Sequence, residues 1–297
     1  MHSLSLLKVM IMKVITDASA SLTPDQALKL NVDIVPFQIT FMGKTYRDGQ
    51  DLSPADLYRL YSENPDQYSE TSQPAVGDFL SAYERNRDKE IISIHLSSGL
   101  SGAYSSAEHA ARMMPDRAIT VIDSGLVGPA LGWMVEAAAK GVEKGWPKEK
   151  ILAALREIRE NTLTMVAFSE LKYLFHSGRV SHLKSIVASL MRLKPIIGMN
   201  EQDGRYSNLG QEPTMGRVVR KMVKLVHNRF NESKLRLQLM HGNNLEGVDL
   251  LRQALHSTLK VVEGQVVTVP LVLGAHTGPT VIGLVAAPQE IFDRLYA

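Results

Sequence analysis

Cysteine is absent from this chain of 297 residues. Without cysteine there is no disulfide framework, no thiolate nucleophile and no metal site built on sulfur. No apolar run reaches the roughly 18 residues of a membrane-spanning helix, so no integral membrane association is predicted. Aromatic residues make up only 6% of the chain, whereas methionine occurs 13 times. Methionine side chains are unbranched and adaptable, which favours an irregular apolar pocket.

A large excess of charge of one sign is also missing. The chain has 33 basic and 31 acidic side chains, a formal net charge of +2. This near balance supplies no strong field for nucleic acid, and we predict no nucleic-acid partner. The basic segment 217–228 carries Val218, Met222, Leu225 and Val226 on one side. That pattern is typical of an amphipathic helix whose charged face is solvated.

The N-terminus contains an apolar stretch, 4–15, followed by Ala18-Ser19-Ala20, which has the composition of a signal-peptidase site. However, Lys8 and Lys13 interrupt the stretch, and Asp17 lies beside the cleavage position. A signal peptide carries its positive charge before the apolar region, not inside it. We therefore predict a cytoplasmic protein, which the absence of cysteine also fits.

Short apolar or β-branched runs alternate with helical segments along the chain. The predicted strands are 13–16, 33–41, 91–96, 118–122, 164–168, 235–240, 265–273 and 280–286. Helix starts are indicated at Thr23-Pro24, Ser53-Pro54, Pro147 and Pro288. This alternation predicts an α/β protein with largely parallel sheets and a ligand cleft between two domains. A break in the pattern near 140–161 divides the chain into predicted domains 1–160 and 161–297.

Polar clusters follow the predicted strands or precede the predicted helices. They are 16–21, 71–74, 97–102, 276–279 and the shorter 177–179. Ligands of parallel sheets bind beyond the carboxyl ends of the strands, and hydroxyls and helix N-termini bind anions. The sequence therefore predicts a binding site for a phosphate or a carboxylate, formed by Thr71, Ser97 and Ser98. Helix caps and turns have the same composition, so a purely structural role stays open.

Two further side chains suit an anion. Arg179 could clamp a carboxylate, and His276 could bind an anion, act as a base or ligate a metal. The histidines show no metal-ligand spacing, so no metal is predicted. Walker, dinucleotide-binding and Gly-x-Ser-x-Gly patterns are absent, so no cofactor is predicted. A small hydrolase or phosphotransferase that uses Ser98 and His276 remains an alternative.

Taken in order, these clusters resemble the DegV family of bacterial fatty-acid-binding proteins. The resemblance runs from about residue 13 to 297, and many short matches in one order are specific where each alone is weak. The matching segments are Ile15-Thr-Asp-Ala-Ser-Ala-Ser-Leu22, Tyr46-Arg-Asp-Gly49, Thr71-Ser-Gln-Pro74, Ser97-Ser-Gly-Leu-Ser-Gly-Ala-Tyr104, Val121-Ile-Asp-Ser124, Leu171-Lys-Tyr-Leu174, Gly178-Arg179, Leu193-Lys-Pro-Ile196, Asp203-Gly204 and Gly274-Ala-His-Thr-Gly-Pro279.

The resemblance implies a carrier without catalysis that binds a long-chain, palmitate-like fatty acid. It implies that Thr71 and Ser98 hold the carboxylate, with Ser97 as the near alternative to Ser98 and His276 beside them. The implied supporting polar network is Asp17, Ser19 and Arg179. The tail is expected in an apolar tunnel, for which we predict Phe168, Ile186, Leu190, Ile197 and Met199. Family members pass the acid to a separate fatty acid kinase, which makes acyl-phosphate for phospholipid synthesis.

This sequence departs from the family pattern in places. The opening Ser is Ala18, and the first Gly of Gly-Gly-Arg is Ser177. After Asp203-Gly204, Gly210-Gln-Glu-Pro213 replaces the family's Gly-Lys-x-Arg, so both basic positions are lost. The basic pair is implied to dock the kinase, so its loss concerns the partner more than the ligand. Arg217 or Arg220 could substitute, and a kinase-regulating interaction module is a third reading.

Overall fold

The computed structural model describes residues 12–179 and 193–297. The strands are β1 (Met12–Asp17), β2 (Val32–Val35), β3 (Gln38–Phe41), β4 (Lys44–Arg47), β5 (Glu70–Ser72), β6 (Glu90–His95), β7 (Ile119–Asp123), β8 (Leu163–Ala167), β9 (Lys194–Met199), β10 (Tyr206–Glu212), β11 (Leu235–His241), β12 (Val261–Glu263), β13 (Val267–Thr268) and β14 (Ile282–Pro288). The helices are α1 (Pro24–Lys29), α2 (Pro54–Glu63), α3 (Val76–Glu84), α4 (Ala103–Arg112), α5 (Pro129–Glu143), α6 (Lys148–Asn161), α7 (Lys172–His176), α8 (Met215–Phe230), α9 (Leu245–His256), α10 (Leu271–Thr277) and α11 (Gln289–Tyr296).

The first sheet has the strand order β2-β1-β6-β7, and all of its pairs are parallel. Its central strands are apolar on both faces, as sheets covered by helices on two sides require. Val14, Ile15, Ile91, Ile92 and Ile94 are accordingly buried. Because parallel strands end at one edge, the polar residues that follow β1 and β6 lie next to each other.

The second sheet has the order β10-β9-β8-β14-β11-β12, and β13 also pairs with β11. Its pairs are antiparallel from β10 to β11, and only β12 and β13 run parallel to β11. The α/β class is therefore confirmed, but the parallel arrangement holds for the first sheet alone. One cause is local: a short turn joins β9 to β10, and such a turn connects only antiparallel neighbours.

Two predicted strands have different boundaries in the structure. The run 33–41 is divided after Val35, where β2 ends; β3 begins at Gln38 and belongs to a small antiparallel sheet of order β4-β3-β5. The prediction of a single strand at 265–273 is wrong, because β13 ends at Thr268 and α10 begins at Leu271. The residues of α10 are buried throughout.

Helix α10 belongs to the C-terminal half of the chain but is bonded to the N-terminal half. Asp48 Oδ2 accepts a hydrogen bond from the Val272 N–H at 2.9 Å. Tyr61 Oη donates to the Ala275 carbonyl at 3.2 Å. A carboxylate at the first turn of a helix satisfies N–H groups that have no partner within the helix. Asp48 therefore fixes the start of α10 from the other half of the molecule.

The predicted helix starts are confirmed. Thr23 and Ser53 each form a capping box with the third helical residue, and prolines occupy the first helical positions. Helices also follow Pro147 and Pro288. No helix within the described residues is long and apolar enough to cross a bilayer. The predicted division after residue 160 falls at the end of α6 and stays a prediction.

Candidate functional site

A cavity of about 410 Å³ lies beyond the carboxyl end of β6, beside α10. That volume is within the usual range of small-molecule sites. Its polar lining consists of Thr71, Ser72, Gln73, Ser101, Arg179, Tyr206 and His276. None of the described residues that line this cavity is acidic. We call it the first cavity; the charge of its lining suits an anionic ligand.

Thr71 and His276 meet at the first cavity although 205 residues separate them. Thr71 Oγ1 and His276 Nε2 are 2.8 Å apart. Burial, with a smaller contribution from the Arg179 charge, lowers the pKa of His276 to about 3. The imidazole is therefore neutral near pH 7. When its proton is on Nε2, His276 donates to Thr71, which leaves the threonine proton for a ligand.

The hydroxyls of Ser97 and Ser98 are directed elsewhere. Ser97 Oγ donates to the Gly204 carbonyl at 2.7 Å, and Ser98 Oγ donates to Asp123 Oδ2 at 2.5 Å. Neither serine is among the described residues that line the first cavity, whereas Ser101 of the same loop is. The structure therefore brings Thr71, Arg179 and His276 together and separates the two predicted serines from them.

Two glycines allow the 97–102 loop to contact the turn between β9 and β10. A side chain on Gly99 would collide with the backbone of Asp203 and Gly204. Gly204 has a positive φ of 63°, and a side chain there would collide with Ser97. Glycine is the residue that tolerates both conditions. This contact joins the loop of the first sheet to the second sheet at the margin of the cavity.

A buried polar network holds the start of that loop. Asp17 accepts hydrogen bonds from the Leu96 N–H at 2.9 Å and from Ser19, and it contacts His95 Nδ1 at 3.1 Å. His95 Nε2 lies 2.6 Å from Ser93 Oγ. Asp17, Ser93 and His95 have the residue types of a hydrolase triad, but all three are fully buried and away from the cavity lining. Their position indicates a support for the loop.

An apolar pocket adjoins the first cavity, since Val127, Tyr206 and Leu273 line both. Two of the predicted tail contacts, Ile197 and Met199, line this pocket. Its free volume is about 30 Å³, so it is narrow. Tyr206 lies between the two spaces, and burial raises its pKa to about 12.

The other predicted tail residues have different positions. Phe168 is 1% exposed in the largest apolar cluster and is not among the described residues that line the pocket. Ile186 and Leu190 lie outside the described residues. Sequence analysis missed Ser101, Tyr206, Val127 and Leu273 as lining residues. No local pattern distinguishes these four from ordinary loop and core residues.

Within 12–179 and 193–297, no group of three His, Cys, Asp or Glu side chains is placed to hold an ion. The polar lining of the first cavity consists instead of hydroxyls, an amide, a guanidinium, a phenol and a neutral imidazole. These groups supply hydrogen-bond donors to an anion without a metal.

The fold is that of a two-domain α/β protein, and the first cavity is a candidate small-molecule site beside α10. The family model described as "Uncharacterised protein, DegV family" matches residues 11–289, and the chain belongs to the DegV family. A DegV domain-containing protein of Staphylococcus aureus (strain N315) is 33% identical over 275 residues, which cover 92% of this chain and 97% of that protein.

Solved structures agree with this assignment. A fatty-acid-binding DegV family protein from Thermus thermophilus has a TM-score of 0.86 and 28% identity, with 94% of this chain and 100% of that chain covered. A stearic-acid-binding protein from Eubacterium ventriosum has a TM-score of 0.85 and 23% identity, with 94% and 98% covered. The second similarity concerns the fold alone.

Proposed function

We propose that this chain binds one long-chain fatty acid in the first cavity and does not transform it. The observation that supports this best is the Thr71–His276 pair, which lies beside Arg179 in a cavity whose described lining has no carboxylate. The fatty-acid-binding relative from Thermus thermophilus, which covers 94% of this chain, supports the same ligand class.

The proposed carboxylate site has complementary donors. An ionised carboxylate only accepts hydrogen bonds, and the Thr71 hydroxyl can donate one when His276 donates to Thr71. The Arg179 guanidinium has five N–H donors, of which one on Nη1 goes to the Ser177 carbonyl at 2.7 Å. Ser101 is the hydroxyl that the 97–102 loop contributes to the lining. We propose Thr71, Ser101 and Arg179 as donors, and Ser97 and Ser98 remain predicted ligands to be tested against Ser101.

The tail is proposed to enter the apolar pocket between Leu273 and Ile197. Burial of each methylene is worth about 0.8 kcal/mol, so the tail supplies most of the affinity. Because the pocket has only about 30 Å³ of free volume, its walls must move outward to admit a tail. We therefore propose that binding is coupled to a widening of the space around Val127 and Leu273.

The contacts favour binding over hydrolysis. Ser98 is bonded to Asp123 and His276 to Thr71, so these two do not form a nucleophile–base pair. Thr71 with His276 is also a poor pair, because a base with a pKa of about 3 is too weak near pH 7. His276 Nδ1 has no hydrogen-bond partner among the described residues, so no acid orients the ring.

The finer proposal is that the bound acid is presented to a separate fatty acid kinase. The resemblance to the family supports it, and the exposed side chains of Arg217 and Arg220 on α8 are the proposed substitutes for the lost basic pair. Between the two lost basic positions, Gln211 and Pro213, Glu212 forms an ion pair with Lys221 at 3.2 Å. If Arg217 and Arg220 dock a kinase, replacement of both arginines by glutamate should reduce acyl-phosphate formation by that kinase. The affinity for fatty acid should stay the same.

The test of the proposed function has two steps. Mass spectrometry of lipid extracted from the purified chain should detect a long-chain fatty acid. Displacement of a fluorescent fatty acid should then show that Thr71→Val weakens affinity roughly 10- to 100-fold, the cost of a lost hydrogen bond to a charged group. The matched control is Thr40→Val, because Thr40 lies in the same small sheet, outside the first cavity, and its hydroxyl bonds to the exposed Thr45.

A comparison of two serine variants identifies which serine binds the carboxylate. Ser101→Ala should lower affinity, and Ser98→Ala should leave it unchanged, because the Ser98 hydroxyl is bonded to Asp123. The reverse result would restore Ser98 as the ligand. Equal affinities of wild type and Thr71→Val would reject the proposed site.

A further inference from the structure

A second cavity, of about 580 Å³, lies where the N-terminal half meets β13 and the start of α10. Three stretches of chain line it: residues 18–36, 48–54 and 265–271. It shares no described lining residue with the first cavity. Its volume is also within the range of small-molecule sites, so it is a candidate site of its own.

The described lining of the second cavity contains one charged group. Asp48 is the only ionisable side chain among its described lining residues, which include no Lys, Arg or His. An anion such as a fatty-acid carboxylate would therefore meet a like charge and no counter-charge there. The apolar part of the lining includes Leu22, Val267 and Leu271. These features fit a ligand with a positive head and a short apolar body.

Asp48 is buried without a cationic partner. It is 6% exposed, and its hydrogen bonds come from the backbone N–H groups at the start of α10. No lysine, arginine or histidine within the described residues forms an ion pair with it. Burial raises the pKa of Asp48 to about 7, with a smaller contribution from the Asp17 charge. A carboxylate has about four acceptor positions, so Asp48 retains capacity for a ligand.

Ser21 adds a hydroxyl with unused hydrogen-bonding capacity to the same lining. Its backbone has a positive φ of 57°, which few residues other than glycine adopt. Its Oγ is buried and has no hydrogen-bond partner among the described residues. Buried hydroxyls nearly always have a partner, so the Ser21 hydroxyl has hydrogen-bonding capacity to offer a ligand in the cavity.

We propose that the second cavity binds a small amphipathic amine, with the ammonium group on Asp48, Ser21 as a further acceptor, and the alkyl body against Leu22, Val267 and Leu271. An ammonium carries three donors and no acceptor, which matches a lining with an unpaired carboxylate. This proposal is independent of the fatty-acid proposal, because no residue of the first cavity takes part.

Three probes of equal chain length test the sign of the charge: octylamine, octan-1-ol and octanoate. Calorimetric titration of the delipidated full-length chain at pH 8, where Asp48 is mostly ionised, should show 1:1 binding of octylamine. Its affinity should exceed that of octan-1-ol at least tenfold. Any octanoate binding should weaken roughly 10- to 100-fold in Thr71→Val, because octanoate would bind in the first cavity. Octylamine binding should be unchanged in the same variant.

Two substitutions locate the amine. Thr268→Lys adds a permanent positive charge at an exposed position of the cavity lining and should reduce octylamine affinity at least tenfold. Thr258→Lys is its matched control, because Thr258 is exposed, outside the lining and changes charge equally. Asp48→Asn should also lower the affinity. If this variant unfolds, which circular dichroism would reveal, the Thr268→Lys result alone decides.

Equal binding of octylamine and octan-1-ol would overturn the proposal, as would equal effects of Thr268→Lys and Thr258→Lys. Loss of octylamine binding in Thr71→Val would place the amine in the first cavity and would also overturn it. Failure of the chain to bind fatty acid would leave all these expected results unchanged. The two proposals can therefore fail separately.

Discussion

The two cavities share one helix but differ in the charge of their linings. The later residues of α10 line the first cavity, together with Arg179 and no described acidic side chain. Pro270 and Leu271, at the start of the same helix, line the second cavity with Asp48 and no described basic side chain. One short buried helix thus separates a site suited to anions from a site suited to cations.

The difference also shows how burial acts on opposite charges. Burial removes water from His276 and Asp48 alike, and in both cases it favours the neutral form. The pKa of His276 falls to about 3 and that of Asp48 rises to about 7. Each cavity therefore contains one buried polar group, His276 in the first and Asp48 in the second, with which a suitable ligand could interact favourably. The following predictions test this contrast, from the largest expected effect to the smallest.

Reversal of the charge in the first cavity should have the largest effect. Arg179→Glu removes donors to the carboxylate and adds repulsion, so fatty-acid affinity should fall by roughly 100-fold or more. Displacement of a fluorescent fatty acid measures this loss. Lys234→Glu is the control, because it makes the same charge change at an exposed position outside both cavities. Equal affinities of the two variants would show that the contrast in charge does not select the ligand.

The pH dependence of stability should have opposite signs for the two buried groups. Between pH 3 and 6.5 the unfolded chain binds the His276 proton and the folded chain does not, so this group makes stability rise with pH. Between pH 3.8 and 7 the folded chain retains the Asp48 proton and the unfolded chain loses it, so this group makes stability fall with pH.

Single substitutions should separate these opposing contributions. From pH 5 to pH 7 each group changes the free energy of unfolding by about 2 kcal/mol, so they largely cancel in the wild type. Urea unfolding of Asp48→Asn should therefore show a steeper rise with pH than wild type, and His276→Gln a flatter rise or a fall. Changes of the same sign in both variants would contradict the opposite pKa shifts.

The sequence correctly predicted the structural features that depend on contacts between residues close together in the chain. The capping boxes at Thr23 and Ser53 are complete within four residues, and both were predicted correctly. Helix α10 was mistaken for part of a strand, because a short buried apolar run has no polar face that would reveal its period. Its start is set by Asp48, which lies 224 residues before Val272. No local pattern contains that information.

The candidate site also combines features that the local sequence predicts with features that depend on contacts between distant residues. The pairing of Thr71 with His276 depends on a contact across 205 residues, and only the resemblance to a family suggested it. The Ser97–Ser98 motif was visible in the sequence, but the direction of each hydroxyl depends on Gly204 and Asp123. Spacing identifies residues that belong to one loop; which of them faces the cavity is decided by tertiary contacts.

The smallest expected effect concerns the apolar pocket beside the first cavity. Thr164 is buried in its lining, and its Oγ1 has no hydrogen-bond partner among the described residues. Thr164→Val replaces the hydroxyl by a methyl group of similar size, which removes an unsatisfied polar atom without leaving a cavity. Stability should rise by about 1 kcal/mol, and fatty-acid affinity should increase a few-fold, because the tail then meets an apolar wall.

Thr162→Val is the matched control two residues earlier. Thr162 is equally buried, but its Oγ1 donates to the Ile158 carbonyl at 2.6 Å. The same substitution there breaks a hydrogen bond and should lower the free energy of unfolding by about 1 kcal/mol, with no gain in affinity. Urea unfolding and fatty-acid displacement measured on both variants compare a satisfied hydroxyl with an unsatisfied one. If both variants lose stability equally, the Thr164 hydroxyl has a partner, and the pocket is more polar than its lining indicates.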